Sequence, residues 1–561
     1  MAKSTGLKGI LRNSVASFGR DESGSMVVFS LYIFIVMVMM SGLAVDIMRY
    51  ENKRTQLQNT MDRAVLAAAD RDQLETPTAV ATDYLIKAGI PEDRFTVEGE
   101  TKYAGDVSSS DNITSRWVEI NADFRMGTAF FNDDIGPDYW TNKSSSRAEE
   151  KLKKIEISLI LDVSGSMRGN KLSQMQAAAK GFVEDILIDT LPDQVTISVI
   201  PYSTQVNIGA DLFSYFATTN EHDYSHCIEF DDADFENIQV STVTTMRQAS
   251  HFDPWSGYWH GTVEAMNANT ASDARRPTWV CRTDDDFAVQ PWSDSISDIS
   301  LQIDGFRAEG NTSIDIAVKW GSALLDPSTR SIYNAMLPQL SPDLKPGRPF
   351  NHSTTDDVEK ILVVMTDGIN TSEYRLNSPY RSGGSGVYKD PDTGQYSMFS
   401  EEVEDQDADT VFSEPVWYAR NYGESTGRYW QAELEDGGTD TGNAYELTWP
   451  QLFAEMSISH RAFSHYYEQY WNADTYYAEY WAPFYYTDPA DKDTNLGKVC
   501  TAAKSNDIEI YSIGFEVTDA SAIVMEGCAS TGNHFYRVTG DEIDWAFASI
   551  ANQINLLKLT Q

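Results

Sequence analysis

Positive charge is what this chain is short of. Only 43 lysines and arginines stand against 84 aspartates and glutamates, a formal net charge of −41 over 561 residues. Binding phosphates needs a basic surface, so this deficit excludes a nucleic-acid-binding protein. The acid excess reads either as loops that hold cations or as an exposed surface solvated by carboxylates, or adapted to salt. Cysteine is equally scarce. Cys227, Cys281, Cys500 and Cys528 are the only four. An even number is compatible with two disulfides in an oxidising compartment, and the other reading is four unpaired thiols. Three connectivities are possible, of which Cys227 with Cys281 and Cys500 with Cys528 is the most local. A G-x-S-x-G elbow is also missing, and no histidine lies near Ser164 or Ser166 in sequence, so no catalytic residue is assigned and the chain reads as a non-enzyme.

What is present begins with one long apolar run. No residue from Ser23 to Val45 is charged, and Met26 to Val45 supplies the roughly 20 apolar residues of a spanning helix. A cleaved signal peptide, with Gly42 and Ala44 near its cut, is disfavoured because the run exceeds the usual roughly 7 to 15 residues. The charge rule for orientation is a tie: Lys3, Lys8, Arg12 and Arg20 precede the span, and Arg49, Lys53, Arg54 and Arg63 follow it. Placing the N-terminus (residues 1–22) in the cytoplasm exports every cysteine and the acidic bulk. Beyond the span (23–45), residues 46–72 carry Leu57, Met61, Ala64, Val65 and Ala68 at helical spacing. This stripe needs a partner, either the protein's own next domain or a neighbouring pilin-like helix.

A length of 561 residues leaves room for two to four structural units. Residues 73–150 read as a small α+β spacer with a strand near Trp117 to Phe124. From residue 151 the pattern becomes strands alternating with helices. Strands are expected at Ile155 to Leu161, Val195 to Ile200, Ile361 to Met365, Ile508 to Ile513 and His534 to Val538. A helix marked by Leu172, Met175, Ala179, Phe182, Val183, Ile186 and Leu187 follows the first, and others fall at about 496–504, 521–529 and from Thr539 to Leu557. This is the pattern of an α/β domain, a doubly wound, mostly parallel sheet covered on both faces. Two stretches break it, about 203–293 and 371–494. They are too long for loops and read as inserted subdomains, the second with a helix marked by Trp449, Phe453, Met456, Phe463 and Tyr467. Their aromatic residues serve as the insertions' own core or as a face for glycans or partners.

Directly after the first strand of the sheet stands Asp162-Val163-Ser164-Gly165-Ser166. Extended backbone turns alternate residues to one side, so a carboxylate and two hydroxyls converge. A hard divalent cation such as Mg²⁺ takes six oxygens, so further ligands must come from elsewhere. Thr312 of GNTS and Asp367 of VVMTDG fit by context, because strand ends of an open α/β sheet gather at a switch point. Together, DVSGS, the threonine of GNTS and the aspartate of MTDG resemble the metal-ion-dependent adhesion site of von Willebrand factor A domains, over about 154–561 with the insertions set aside. The resemblance implies that Ser164, Ser166 and Thr312 contact the metal through hydroxyls, and Asp162 and Asp367 directly or through water. It leaves Mn²⁺ or Ca²⁺ as alternatives to Mg²⁺ and implies an acidic group on a partner as ligand.

The N-terminal stretch RDESGSMVVFSLYIFIVMVMMSGLAVDIMRYENKRTQLQNTMDRAVLAAA resembles TadE/TadG-like proteins of the tight-adherence (Flp) pilus system. Such proteins often pair this anchor with a periplasmic von Willebrand A domain, and the ending AFASIANQINLLKLTQ resembles theirs. The chain departs from them around Gly19 and Gly24, where the processing signal of pseudopilins is not evident. The resemblance implies a single-pass inner-membrane protein, periplasmic in bulk, that acts in assembly or as a scaffold of the pilus. A stand-alone adhesin for host protein or glycan is the alternative. Two calcium-like stretches, Asp390 to Gly394 and Asp491 to Asn495, lack the EF-hand glycine and read as solvated turns. His222 and His226 beside Cys227 are a weak zinc pair, in a segment with no sign of a helix.

Overall fold

The computed structural model describes residues 25–557 and 559–560, apart from 72, 104–112, 130–137, 189, 256–276, 353–357, 392–393, 395 and short stretches between 401 and 472. The expected cytoplasmic segment 1–22, with Gly19 and Gly24, lies outside the described residues. The chain divides into two units, residues 1–152 with 560–561, and residues 153–559.

In the first unit the apolar run and the amphipathic run form one helix, α1 (Ser25–Ala69). At 1.5 Å per residue its 45 residues extend about 68 Å. The N-terminal half exposes its side chains, Met26 by 72% and Phe29 by 61%, and the helix is long and apolar enough to cross a membrane. Asp46 ends the apolar run, and its carboxylate accepts from the Ala129 amide at 3.0 Å. The second half buries Leu57, Met61, Ala64, Val65 and Ala68 in a core shared with α2 (Pro77–Lys87) and an antiparallel sheet. The stripe is therefore covered by the segments that follow it within the same unit. The sheet runs β1 (Phe95–Tyr103), β2 (Ile113–Gly127), β3 (Tyr139–Leu152), with β2 in the middle. Only β2 carried an apolar signature in sequence, because β3 (YWTNKSSSRAEEKL) has no fully buried residue.

The second unit is built on a six-stranded sheet. Its order is β9 (Phe535–Val538), β8 (Ile508–Phe515), β7 (Val358–Thr366), β4 (Lys154–Asp162), β5 (Val195–Tyr202), β6 (Gln290–Ser293), parallel except for the edge strand β6. In β4 every residue after Lys154 is buried, as expected of a central strand covered on both faces. Period-two alternation sends Ile155, Ile157, Leu159 and Leu161 to one face, under α3 (Asn170–Leu187), α4 (Ile296–Asp304) and α8 (Glu542–Leu557). Ile160, Ile200, Leu362 and Ile510 go to the other, under α5 (Ile314–Leu325), α6 (Pro489–Ser505) and α7 (Asp519–Cys528). All twelve residues of α5 are buried. Gly321 lets it sit against β4: an added Cβ would come within 2.6 Å of Ile160 Cδ1, and Ser158 Oγ donates to Gly321 O at 2.7 Å. This is a doubly wound α/β fold, as the alternation of strands and helices predicts.

Several boundaries move. The helix expected from Leu496 begins at Pro489, which is placed at its first turn where a missing N–H costs nothing. Asp491 to Asn495 is therefore helical, not a solvated turn. The last helix begins at Glu542, whose carboxylate accepts from the Thr539 amide at 3.0 Å. Residues 290–293 of the first insertion are the edge strand β6. Much of that insertion joins the main core, since Phe230, Phe235 and Ile238 pack with Trp320 of α5. The second insertion has a core of its own around Leu376, Val387, Leu447, Leu452 and Phe453, to which Phe252 and Val280 of the first contribute. Trp449–Glu455 is helical there, while Tyr467 lies outside the described residues. Cys227 is bonded to Cys281 and Cys500 to Cys528.

Candidate metal centre

At the C-terminal end of β4 the chain leaves the sheet with Asp162 fully buried. Its Oδ1 accepts from the Ser164 amide at 2.8 Å, and its Oδ2 from Thr366 Oγ1 at 2.7 Å, so the carboxylate is held from both sides. Extended backbone continues only to Ser164. Gly165–Met167 is a single 3-10 turn, and this turn, not strand alternation, brings Ser166 back. Ser164 Oγ and Ser166 Oγ lie 3.0 Å apart, and Ser166 Oγ donates to Asp367 Oδ1 at 2.6 Å. Asp367, just past the end of β7, also accepts from Lys171 Nζ at 2.9 Å through Oδ2.

Thr312 approaches from a third loop. The Gly165 amide donates to Gly310 O at 2.9 Å and the Glu309 amide to Val163 O at 2.9 Å, which straps the 309–312 segment to the turn after β4. Thr312 itself is anchored by its backbone: its amide donates to Thr371 Oγ1 at 2.7 Å, and its carbonyl accepts from the Thr371 amide and from Lys492 Nζ, both at 3.0 Å. Thus Asp162, Ser164, Ser166 and Asp367 are joined through one side-chain network, while Thr312 sits on the loop tied to it.

Two buried carboxylates share this end of the sheet, and burial, with the charge of Asp367, pushes the Asp162 carboxyl up to about 6. Lys171 is the one lysine on the pair in this network, and it contacts Asp367, not Asp162. Carboxylates and hydroxyls are all hard oxygen donors, and negative charge is in excess, so the residues present fit a divalent cation. Three participants were not singled out in sequence: Thr366, Lys171 and Tyr202, whose hydroxyl donates to Met365 O at 3.1 Å. Thr366 had a signal, being next to Asp367 in MTDG; Lys171 and Tyr202 had none. The weak zinc pair does not share a site, since His222 Nε2 faces Ala249 O at 2.9 Å while His226 packs edge-on to Phe213.

Residues 24–71 match the family described as putative Flp pilus-assembly TadE/G-like. No curated protein matches the chain. Solved structures similar to it include the vWF domain of the type V pili tip protein Mfa5 from Porphyromonas gingivalis, at 14% identity and a TM-score of 0.29, covering 72% of this chain and 96% of that one. The adhesive tip pilin GBS104 from Group B Streptococcus agalactiae is 11% identical with a TM-score of 0.31, covering 72% and 100%. Proximal thread matrix protein 1 from the mussel byssus, with a zinc-occupied MIDAS motif, is 10% identical with a TM-score of 0.24, covering 73% and 48%. Similarity this distant carries no functional weight; the sheet order and the residues at its edge stand on their own.

Proposed function

We propose that this chain is a membrane-anchored, non-enzymatic assembly or scaffold component of a tight-adherence (Flp, type IV-like) pilus, holding a protein partner through a divalent cation. The observation that carries the reading is the network joining Ser166 to Asp367, 201 residues apart, with Ser164 and Asp162 beside them. Asp162 and Asp367, with the hydroxyls of Ser164, Ser166 and Thr312, would hold Mg²⁺, or Mn²⁺ or Ca²⁺ in its place. When bound, the ion supplies an electrophilic position that an acidic side chain of the partner completes. The N-terminal match supports the pilus setting. The two disulfides support an oxidising compartment, and hence a bacterial inner-membrane protein with its N-terminus in the cytoplasm and its bulk in the periplasm.

Asp162→Ala and Asp367→Ala should each abolish Mg²⁺ binding in calorimetry while circular dichroism stays native, because both residues stand at the C-terminal end of the sheet and not in its two apolar layers. Unchanged affinity in both variants would refute the site. Pilus-assembly proteins should be retained from envelope extracts with Mg²⁺ and lost with chelator. Normal pilus assembly after deletion of the gene would sink the functional reading. The exposed aromatic residues Tyr477, Trp481 and Tyr486 favour a second reading, a stand-alone adhesin for host protein or glycan. Pilin, ATPase and secretin genes beside this one would speak for assembly, and an isolated gene for the adhesin.

A further inference from the structure

The loops that carry Thr312 and Thr371 also lead into a cavity of about 560 Å³. Asp231, Asp232, Asp315, Glu373 and Asp491 line it, against the single guanidinium of Arg375. Two of these carboxylates are held by hydrogen bonds from neighbouring side chains. Glu373 accepts from Arg375 Nε at 2.8 Å and Gln205 Nε2 at 2.5 Å, and Asp232 from Asn495 Nδ2 at 2.8 Å. Asp315 differs. It is 1% exposed, yet its Oδ1 accepts no hydrogen bond. The nearest cation, Lys492 Nζ, stands 3.9 Å away and donates instead to Thr312 O, Ser313 Oγ and Thr371 O. Burial, opposed by the charge of Lys492, pushes the Asp315 carboxyl up to about 6.

A buried, unpartnered carboxylate oxygen is costly unless a donor meets it. A bare divalent ion would need about six oxygens, and two of the neighbouring carboxylates, Glu373 and Asp232, are already tied to Arg375 and Asn495. The walls suit an organic cation better: Tyr485, on the same strand face as Glu373 and Arg375, lines the cavity and is partly exposed, and an aromatic face attracts ammonium and guanidinium groups. We propose that this cavity receives a lysine or arginine side chain of a protein partner, its charged head paired with Asp315 Oδ1 and its stem lying along Tyr485. The site does not depend on the metal centre. A partner that presents an acidic and a basic residue could engage both.

Agmatine, a guanidinium on a four-carbon stem, is the probe. Titrated into the detergent-solubilised full chain in the presence of EDTA, it should bind saturably, and at least 10-fold more weakly to Asp315→Asn. Equal binding by Asp315→Asn, or displacement of agmatine by millimolar Ca²⁺, would overturn the proposal. Should Asp315→Asn fail to fold, Tyr485→Ala on the cavity wall should weaken agmatine at least threefold, and unchanged affinity there would overturn it as well. Asp162→Ala should bind agmatine as the wild type does, so failure of the metal reading and failure of this one give different results.

Discussion

At the scale of single residues, the metal centre depends on a position that is not a ligand. Gly310 has φ +83°, and an added Cβ would lie 3.0 Å from Thr204 Oγ1 and 3.1 Å from Ser203 Oγ while its carbonyl holds the Gly165 amide. Gly310→Ala should therefore displace the Thr312 loop, destabilise the second unit by about 1–3 kcal/mol and weaken Mg²⁺ at least 10-fold by calorimetry. Wild-type affinity would show that the loop tolerates the strain. A second residue-scale outcome concerns His251, which burial, then His222, lowers to about 3. Its ring stacks on Tyr224 at 5.0 Å and lies 4.0 Å from Trp279. The folded state keeps it neutral while the unfolded chain protonates it near 6.5, so its contribution is present above 6.5 and is lost as pH falls from there toward 3. His251→Phe should flatten the fall in stability between pH 6.5 and 4 by up to about 1.4 kcal/mol per pH unit in urea titrations. Identical slopes would remove this histidine from the acid response. Sequence made Asp162, Ser164, Ser166, Thr312 and Asp367 legible because hydroxyls and carboxylates clustered in short motifs at strand ends. It hid Lys171, which pairs with Asp367 and Glu516, and Asp315, which lies near Lys492, because those partners come from segments distant in the chain.

At the scale of elements, the end of α1 shows what a pattern reading cannot see. The last carbonyls of a helix lack partners, and Arg116, fully buried on β2, meets one of them and ties down the segment that follows: Nε donates to Ala68 O at 2.7 Å and Nη1 to Gln73 O at 2.9 Å, with Nη2 on Glu75 O. Arg116→Ala leaves the buried Ala68 carbonyl without its donor, frees the segment around Gln73 and Glu75, and should cost the first unit about 2–4 kcal/mol, read as faster hydrogen exchange over residues 57–69. Unchanged protection there would mean that the helix is held by its apolar stripe alone. That stripe was readable because Leu57, Met61, Ala64, Val65 and Ala68 repeat at helical spacing; β3 was not, because it buries none of its residues fully. The helical reading of Asp491 to Asn495 was masked in the same way, by polar residues on the exposed side of α6, two of whose neighbours, Lys492 and Asn495, are nonetheless buried.

At the scale of the whole molecule, the question is whether the long stretches between sheet strands fold as separate bodies. Their composition suggested insertions, and the packing shows why composition could not define their borders: Phe230, Phe235 and Ile238 belong to the cluster around α5, while Phe252 and Val280 join that of residues 376–484. Shared clusters imply shared cooperativity, since one side cannot open without exposing the other. The Cys227–Cys281 bond closes 54 residues, and in the chain-entropy limit a loop of that length contributes about 4 kcal/mol. Replacing both cysteines with serine should therefore lower the stability of residues 153–559 by about 2–4 kcal/mol as one transition. Hydrogen exchange would report it as equal loss of protection in α5 and in Tyr445–Thr448. Loss confined to Tyr445–Thr448, with α5 unchanged, would instead show an insertion that folds by itself and merely rests on the sheet.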